Sequence, residues 1–533
     1  MDSTHESEPI EELKVGFFPE LFLQRRIWIL DILRRENISQ ILEVGCGEGQ
    51  LLATLCRPAP WLPAPPPEIL TPMSSPTSSP NPDEPPPPSP SYNDDDMPNL
   101  HIREVHGLDI SSEDLKFAVE NITPPVDMPE VGSPGVRSYV TGLQRWEELL
   151  AKVWKGGLEV INEEFVGMEC IVSTEVIEHL PENILSAFTP MLLGVYHPKY
   201  FLVTTPSYTF NARFTAPDAP PSARRGYPDP TGRTDRIFRH DDHKFEWTRE
   251  EFKAWCQTTA EEWGYAMEET SIGRAVDPDP YGRDEELEGA SSAVFFRRLD
   301  TMDNGAREAK ARAIISQLGI PQEPHTVLAV YQHGVNPAAM KPRPLEEIAA
   351  TVKAKMEEYR EVFMRVESLW YETEIAVQCG GWIEVMVRAI EQSPDLNLKR
   401  ESDGLTQRTS NWSVELVGGV AFDPWDPSNR VDYIPPDWTP GEGPYEAWAD
   451  DSDMEEGSTG ADGDVSTYTS DADADTDTDD DDETNVGWGK RPRWKTLMKE
   501  SEGDILAGNG WDRSKEWGDD SGWGHPGSSA GWD

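Results

Sequence analysis

An α/β fold with a mostly parallel sheet is the class this sequence predicts, on three observations. Short apolar, strand-like runs alternate with helix-like runs over residues 15–56 and 100–300. The first strand-like run ends directly in a glycine-rich turn that opens a helix. Two polar stretches, 57–99 and 441–533, fall outside this alternation and divide the chain.

Taken in order, QRRIWILDILRR spaces its apolar residues for an amphipathic helix. ISQILEVG is a short apolar strand and CGEGQLLATLC a glycine turn opening a helix; REVHGLDI is a second strand, followed by SSEDLKFAVENI as a second helix. MECIVS, YFLVTT and SSAVFFRR are later strands, with a helix near 183–195 and REEFKAWCQTTAEEWG at 249–264 between them. Beyond 300, NGAREAKARAIISQLG predicts a helix and HTVLAVYQ a strand. Leu345, Ile348, Val352, Met356, Tyr359, Phe363, Val366 and Trp370 then recur at steps of three and four, which predicts one long amphipathic helix. WIEVMVRAI at 382–390 fits either a return helix or a strand. We therefore expect a folded domain over 15–300 and an accessory α-rich region over 301–440.

The remaining stretches cannot bury a core. Residues 57–99 are saturated with proline, serine and acid and read as a disordered insertion, and the acidic residues 1–14 as a disordered start. Residues 441–533 hold 26 acids and 7 basic residues, a net charge of −19 within a chain total of −51, and predict a disordered acidic tail. Five scattered cysteines, odd in number and without metal-site spacing, argue against a disulfide framework or zinc module. No apolar run approaches the roughly 18 residues that cross a bilayer. A soluble cytoplasmic or nuclear protein is the expectation.

Two motifs carry chemistry. Glu43, Gly45, Gly47 and Gly49 in LEVGCGEGQLL form a glycine turn at a strand end, where the backbone can approach a ligand closely. The second strand ends in GLDIS, placing Asp109 to accept hydrogen bonds from a ribose diol, so a nucleoside-type cofactor is expected. The second motif is STEVIEHL, in which Glu175, Glu178 and His179 stand at i, i+3 and i+4, the spacing of one helix face. Two close carboxylates repel, so a positive partner is expected between them.

ILEVGCGEGQ with GLDIS resembles the S-adenosylmethionine-binding motifs of Rossmann-like methyltransferases. FFPELFLQRR, STEVIEHL, FLVTTPSYTFN and HDDHKFEWTREEF together are similar to the Hua-enhancer family of small-RNA 2′-O-methyltransferases, over roughly residues 15–300 without the insertion. The resemblance implies a divalent metal on Glu175, Glu178, His179 and His243, with His240 a competitor for His243. Mn²⁺ suits such mixed oxygen and nitrogen ligation better than Mg²⁺, and Co²⁺ or Fe²⁺ would also suit it. It further implies that a terminal ribose presents its 2′ and 3′ hydroxyls to the metal, and that the 2′ oxygen takes a methyl from S-adenosylmethionine. Lys244, Glu246 and Trp247 are expected only to pack the next helix. Two departures from the family pattern bear on the fine geometry: Ser207 replaces an asparagine, and Asn162 stands where the pattern has an acid that contacts the cofactor.

An acidic protein that binds RNA needs local positive charge. Arg213, Arg224, Arg225, Arg233, Arg236 and Arg239 lie between the TTPSYTFN strand end and His243 and are the expected RNA contacts. No separate RNA-binding domain precedes the first strand, so single-stranded RNA is the expected form. In the tail, Trp488, Trp511, Trp517, Trp523 and Trp532 each adjoin a glycine. This resembles the GW/WG hook by which silencing proteins hold Argonaute, an expected partner. The competing readings are a methyltransferase for another diol-bearing acceptor and a silencing scaffold that recruits through its tail.

Overall fold

The computed structural model describes residues 12–70, 99–125, 144–220, 223–320, 323–400 and 412–420. The disorder expected for the amino terminus, for most of the insertion and for the tail, with the five tail tryptophans, falls outside these residues.

Helix α1 (Leu21–Arg35) buries Ile29, Leu30, Ile32 and Leu33, and its last turn carries Arg34 and Arg35, which suit the negative end of the helix dipole. Strand β1 (Gln40–Val44) follows, then α2 (Gln50–Leu55), α3 (Pro67–Leu70), β2 (Glu104–Asp109), α4 (Asp114–Asn121), β3 (Leu149–Lys155) and β4 (Cys170–Thr174). The middle of the chain forms α5 (Glu182–Thr189), β5 (Tyr200–Pro206) and a two-stranded ribbon, β6 (Tyr227–Pro228) with β7 (Ile237–Phe238). Helix α6 (Arg249–Trp263) begins in a capping box between Thr248 and Glu251 and stops at Gly264, where φ is +72°. It leads into β8 (Tyr265–Ile272), α7 (Asp284–Leu287), β9 (Ser291–Arg298), α8 (Asn304–Leu318) and β10 (Thr326–His333).

Eight strands form one sheet in the order β10-β3-β2-β1-β4-β5-β9-β8. Strands β9 and β10 run against the rest. Apolar layers cover both faces: one centres on Phe165, Phe188, Phe201 and Trp263, the other on Leu33, Ile41, Leu52 and Val105. This is the expected Rossmann-like sheet. The chain turns from one half to the other between β1 and β4, and the crevice beyond such a switch point is where doubly wound sheets bind ligands.

The sheet does not end at residue 300. Strand β10 pairs antiparallel with β3, from Thr326 with Lys155 to His333 with Leu149. Helix α8 packs its Ala311 and Ile315 into the layer that holds Trp263. Strands β3 and β8 carry no strand signal in the sequence, because LLAKVWK and YAMEETSI mix charged with apolar residues.

The remaining described chain forms α9 (Leu345–Tyr359), β11 (Phe363–Arg365), α10 (Val366–Trp370), α11 (Thr373–Gln378), α12 (Ile383–Gln392), β12 (Leu396–Arg400) and β13 (Trp412–Leu416). The long helix expected over 345–370 is broken. Arg360 takes φ +58°, while its amide and that of Glu361 bond the carbonyls of Glu357 and Met356, a Schellman stop. Phe363 therefore sits on a strand, and 382–390 is helical. The region is not purely α-rich, since β11, β13 and β12 form a small sheet.

The insertion is corrected at its front end. Trp61 and Leu62 are buried, and the Leu62 amide donates to Gly381 O at 2.8 Å. The indole of Trp370 donates to Pro60 O at 2.9 Å and that of Trp146 at 3.3 Å. Sequence composition hides this, because two apolar residues among prolines suffice when a ready-made groove receives them. All five cysteines are free and buried.

Candidate metal and cofactor site

The glycine turn, Asp109 and Glu175 lie at the carboxyl ends of β1, β2 and β4. Beyond β1, Gly45, Gly47 and Gly49 take φ of +76°, +49° and +79°. A Cβ on Gly45 would stand 2.3 Å from Val176 Cγ2, so this turn packs directly on the segment that carries Glu175 and Glu178. At the end of β2, Asp109 Oδ2 accepts from the Gly47 amide at 2.9 Å and Oδ1 from Ser111 N at 2.8 Å. Burial raises the Asp109 carboxyl, and these backbone donors work against that rise.

Glu43 is buried, and its Oε2 has no hydrogen-bond partner. Burial pushes its carboxyl up to about 8, opposed by Arg26 and reinforced by Asp109. An unpaired buried acceptor beside a glycine cradle matches a ligand that brings its own donor or positive group. Asn162 Oδ1 accepts from Glu164 N at 3.0 Å and caps the short turn Glu163–Phe165. Its Nδ2 stands 3.3 Å from His325 Nδ1.

The E-x-x-E-H stretch is not one helical face. Glu175 takes φ +53°, and only Ile177–His179 form a tight 3₁₀ turn. Glu175 Oε2 meets Arg25 Nη2 at 3.2 Å and Oε1 accepts from Thr204 Oγ1 at 2.8 Å. Glu178 is fully buried; its Oε2 accepts from Thr205 Oγ1 at 3.0 Å and its Oε1 has no partner. Burial, then the Glu175 carboxylate, raises the Glu178 carboxyl well above the usual range.

Glu178, His179 and His243 each bring one ligand atom, and these lie within 4.8 Å of one another. Each imidazole is backed by a carboxylate: His179 Nδ1 meets Asp242 Oδ2 at 3.0 Å, and His243 Nδ1 meets Glu246 Oε1 at 2.7 Å. Donation from Nδ1 puts the lone pair on Nε2, the tautomer a metal requires, and the carboxylates orient the rings. The hydrogen bond from His179 holds Asp242 well below the usual carboxylate range. His240 stacks on His243 with ring centroids 5.2 Å apart. Burial, then the neighbouring imidazoles, keeps His240 below the ordinary histidine value.

Several functional groups escaped the sequence reading. Glu246 accepts from His243, from Arg239 N at 2.7 Å and from Asn211 Nδ2 at 2.7 Å, so it orients the site rather than merely packing a helix. Its signal was the three-residue step from His243. Trp247 does pack against the core. Asp242, Thr204, Thr205 and Arg25 gave no local signal beyond lying inside quoted motifs.

The six arginines do not form one basic face. Arg213 is buried and bonds Asp279 Oδ1 at 2.8 Å and Asp277 O at 2.7 Å, so it supports the loop from inside. Arg236 grips both oxygens of Glu251 at 2.8 Å, and Arg239 bonds Glu12 at 2.9 Å. Arg224 bonds the Tyr208 hydroxyl at 3.3 Å, while Arg225 and Arg233 lie at the surface, Arg233 3.5 Å from Glu182. Among the described residues, no helix is long and apolar enough to cross a membrane.

No protein-family profile matches the chain. Curated relatives named small RNA 2′-O-methyltransferase do. The one from Gallus gallus is 26% identical over 260 residues, 49% of this chain and 50% of the relative. That from Arabidopsis thaliana is 24% identical over 302 residues, 56% of this chain and 25% of the relative. That from Drosophila melanogaster is 30% identical over 172 residues, 32% of this chain and 39% of the relative. The chain thus spans between a quarter and a half of these relatives' length. Among solved structures, small RNA methyltransferase HEN1 aligns with 21% identity and a TM-score of 0.36, covering 60% of this chain and 28% of that one. The methyltransferase domain of bacterial CtHen1-C aligns with 23% identity and a TM-score of 0.32, covering 52% of this chain and 99% of that one.

Proposed function

We propose that this chain, a homologue of the small RNA 2′-O-methyltransferases, methylates the 2′-hydroxyl of the 3′-terminal nucleotide of small silencing RNAs. The observation that carries the reading is the trio Glu178, His179 and His243, backed by carboxylates and set beside a glycine cradle at the switch point of the sheet.

The residues fit both implied groups. Glu43, Gly45, Gly47, Gly49 and Asp109 would hold S-adenosylmethionine, since Glu43 offers an unpaired buried oxygen and the glycines leave the strand end open. Glu178, with an unpaired buried oxygen, and the two imidazoles would hold a divalent cation. When bound, the cofactor supplies an electrophilic methyl, and the cation, Mn²⁺ or Mg²⁺ with Co²⁺ or Fe²⁺ also suited, supplies charge that acidifies a ribose hydroxyl. Thr205 fixes the Glu178 carboxylate, and Asp242 and Glu246 fix the imidazoles. His240, whose ring stacks on that of His243, is the base to which we assign the proton released from the 2′-hydroxyl. To Arg224, Arg225 and Arg233, of which the last two are exposed, we assign contacts with RNA phosphates. Action in the cytoplasm or nucleus accords with this role.

The test is methyl transfer from labelled S-adenosylmethionine to synthetic small RNAs ending in a 2′,3′-diol, a 2′-deoxy or a 3′-deoxy ribose. Label should enter the diol RNA alone and make it resistant to periodate. Efficient 2′ methylation of the 3′-deoxy RNA would refute recognition of the diol. Label in other diols but not in RNA would move the activity to another acceptor. The glycine-flanked tail tryptophans favour a second, compatible role, recruitment of an Argonaute protein.

A further inference from the structure

A nucleoside held at the glycine turn and Asp109 still needs a seat for its base. The glycine turn follows β1 and Asp109 ends β2, so a ribose bonded to Asp109 directs its base away from β1, over the end of β3. Ile110, directly after Asp109, is apolar yet 61% exposed there, and the Gly156 amide beyond β3 donates to Asp109 O at 2.9 Å. Residues 156–162 form no helix or strand, but one distant side chain ties them at both ends. His325, the residue before β10, has Nε2 2.7 Å from Gly157 O, to which it can only donate. The other nitrogen of a neutral ring is then an acceptor, and Asn162 Nδ2 meets it at 3.3 Å. Asn162 cannot turn its amide over without losing the bond from Glu164 N to its Oδ1, and its own N–H donates to the Tyr196 hydroxyl at 3.1 Å. The ring also packs directly on Gly156, where a Cβ would stand 2.2 Å from His325 Cδ2.

We infer that His325, brought to this corner by the outermost strand of the sheet, is a positioning residue for the cofactor: its neutral ring staples residues 156–162 into the wall that receives the adenine base. This rests on the S-adenosylmethionine reading above. A protonated ring would set a second N–H against the Asn162 NH₂, so the staple would open at that end. Burial holds the ring below the ordinary histidine value, against the Gly157 hydrogen bond and Glu159, which both favour the charged form. Of the other charged groups nearby, Lys155 ends β3 opposite Thr326, and Glu163 pairs with Arg312 at 2.9 Å. The staple therefore holds above that lowered value and is lost as the pH falls through it.

The experiment titrates the full chain with S-adenosylhomocysteine, the cofactor without its methyl, by calorimetry between pH 7.5 and pH 5. His325→Ala removes both bonds and should weaken binding at pH 7.5 by at least about tenfold. His325→Gln keeps one donor and one acceptor on its amide but does not titrate, so it should bind within about threefold of wild type at pH 7.5. On acidification to pH 5, wild type should lose at least about fivefold more affinity than His325→Gln. Glu43 and Asp109 are present in both proteins, so the difference belongs to His325. Val330→Ser, at an exposed position on the same strand, should leave binding unchanged, and thermal melts check that each variant is folded. Wild-type affinity in His325→Ala, equal weakness of His325→Gln and His325→Ala, or parallel acid limbs in wild type and His325→Gln would overturn the inference and leave the cofactor reading standing. Absence of binding by wild type would overturn both.

Discussion

Replacing Glu246 by glutamine is the sharpest perturbation of the imidazole support. The carboxylate takes three hydrogen bonds, two at Oε1 from His243 Nδ1 and Arg239 N and one at Oε2 from Asn211 Nδ2, each at 2.7 Å. A glutamine oxygen can keep the first two, and Asn211 can turn its own amide to meet the new NH₂, so the shape of the site survives. The charge behind His243 does not. Loss of such an outer partner weakens metal binding by about 10–100-fold, or roughly 1.4–2.7 kcal/mol. Glu246→Ala differs in kind, because it leaves three donors around a buried residue without an acceptor, at about 1–3 kcal/mol each. Calorimetric Mn²⁺ titration and thermal melts separate the two. Glu246→Gln should melt near wild type and bind Mn²⁺ at least about tenfold more weakly, while Glu246→Ala should lose both stability and binding. Wild-type Mn²⁺ affinity in Glu246→Gln would refute the assignment of Glu246 as the group that orients His243.

The folded foot of the insertion makes Trp61→Ala costly, by about 3–5 kcal/mol, whereas replacing residues 71–98 with a short Gly/Ser linker should leave the melting temperature nearly unchanged. Equal destabilisation by both changes would show that the outer insertion also packs. Glu43 titrates near 8 in the folded chain against about 4.5 ordinarily, so the unfolded chain releases its proton first and stability falls as pH rises between these values. Glu43→Gln should therefore gain in melting temperature over wild type progressively from pH 5 to 8; a pH-independent difference would show that Glu43 does not titrate in this way. Residues 441–533 should co-purify an Argonaute protein, and alanine at Trp488, Trp511, Trp517, Trp523 and Trp532 should abolish recovery without slowing methyl transfer to free RNA. Equal recovery by the alanine variant would discard the hook.

What the sequence disclosed was local. The glycine turn, Asp109 and the apolar strands were legible because strand periodicity and glycine punctuation act over a few residues. The regular helix face expected for Glu175, Glu178 and His179 fails because nothing in STEVIEH announces a left-handed residue at the strand end. The arginines were counted as one basic surface because sequence cannot show that Asp279, Glu251 and Glu12 return to pair with Arg213, Arg236 and Arg239. The burial of Trp61 and the place of β10 depend on partners hundreds of residues away, and no local pattern encodes those.

The outer seat of β10 also sets a timetable for synthesis. Strand β3 ends at Lys155, and the strand that covers its open edge begins only at Thr326. At bacterial to eukaryotic elongation rates of about 5–20 residues per second, the nascent chain carries an uncovered sheet edge for on the order of ten to thirty seconds. An exposed edge is a template for pairing with other chains, so this interval is when aggregation competes with folding. A shortened protein that stops near residue 300 would make that interval permanent. Versions meant for expression should run past His333.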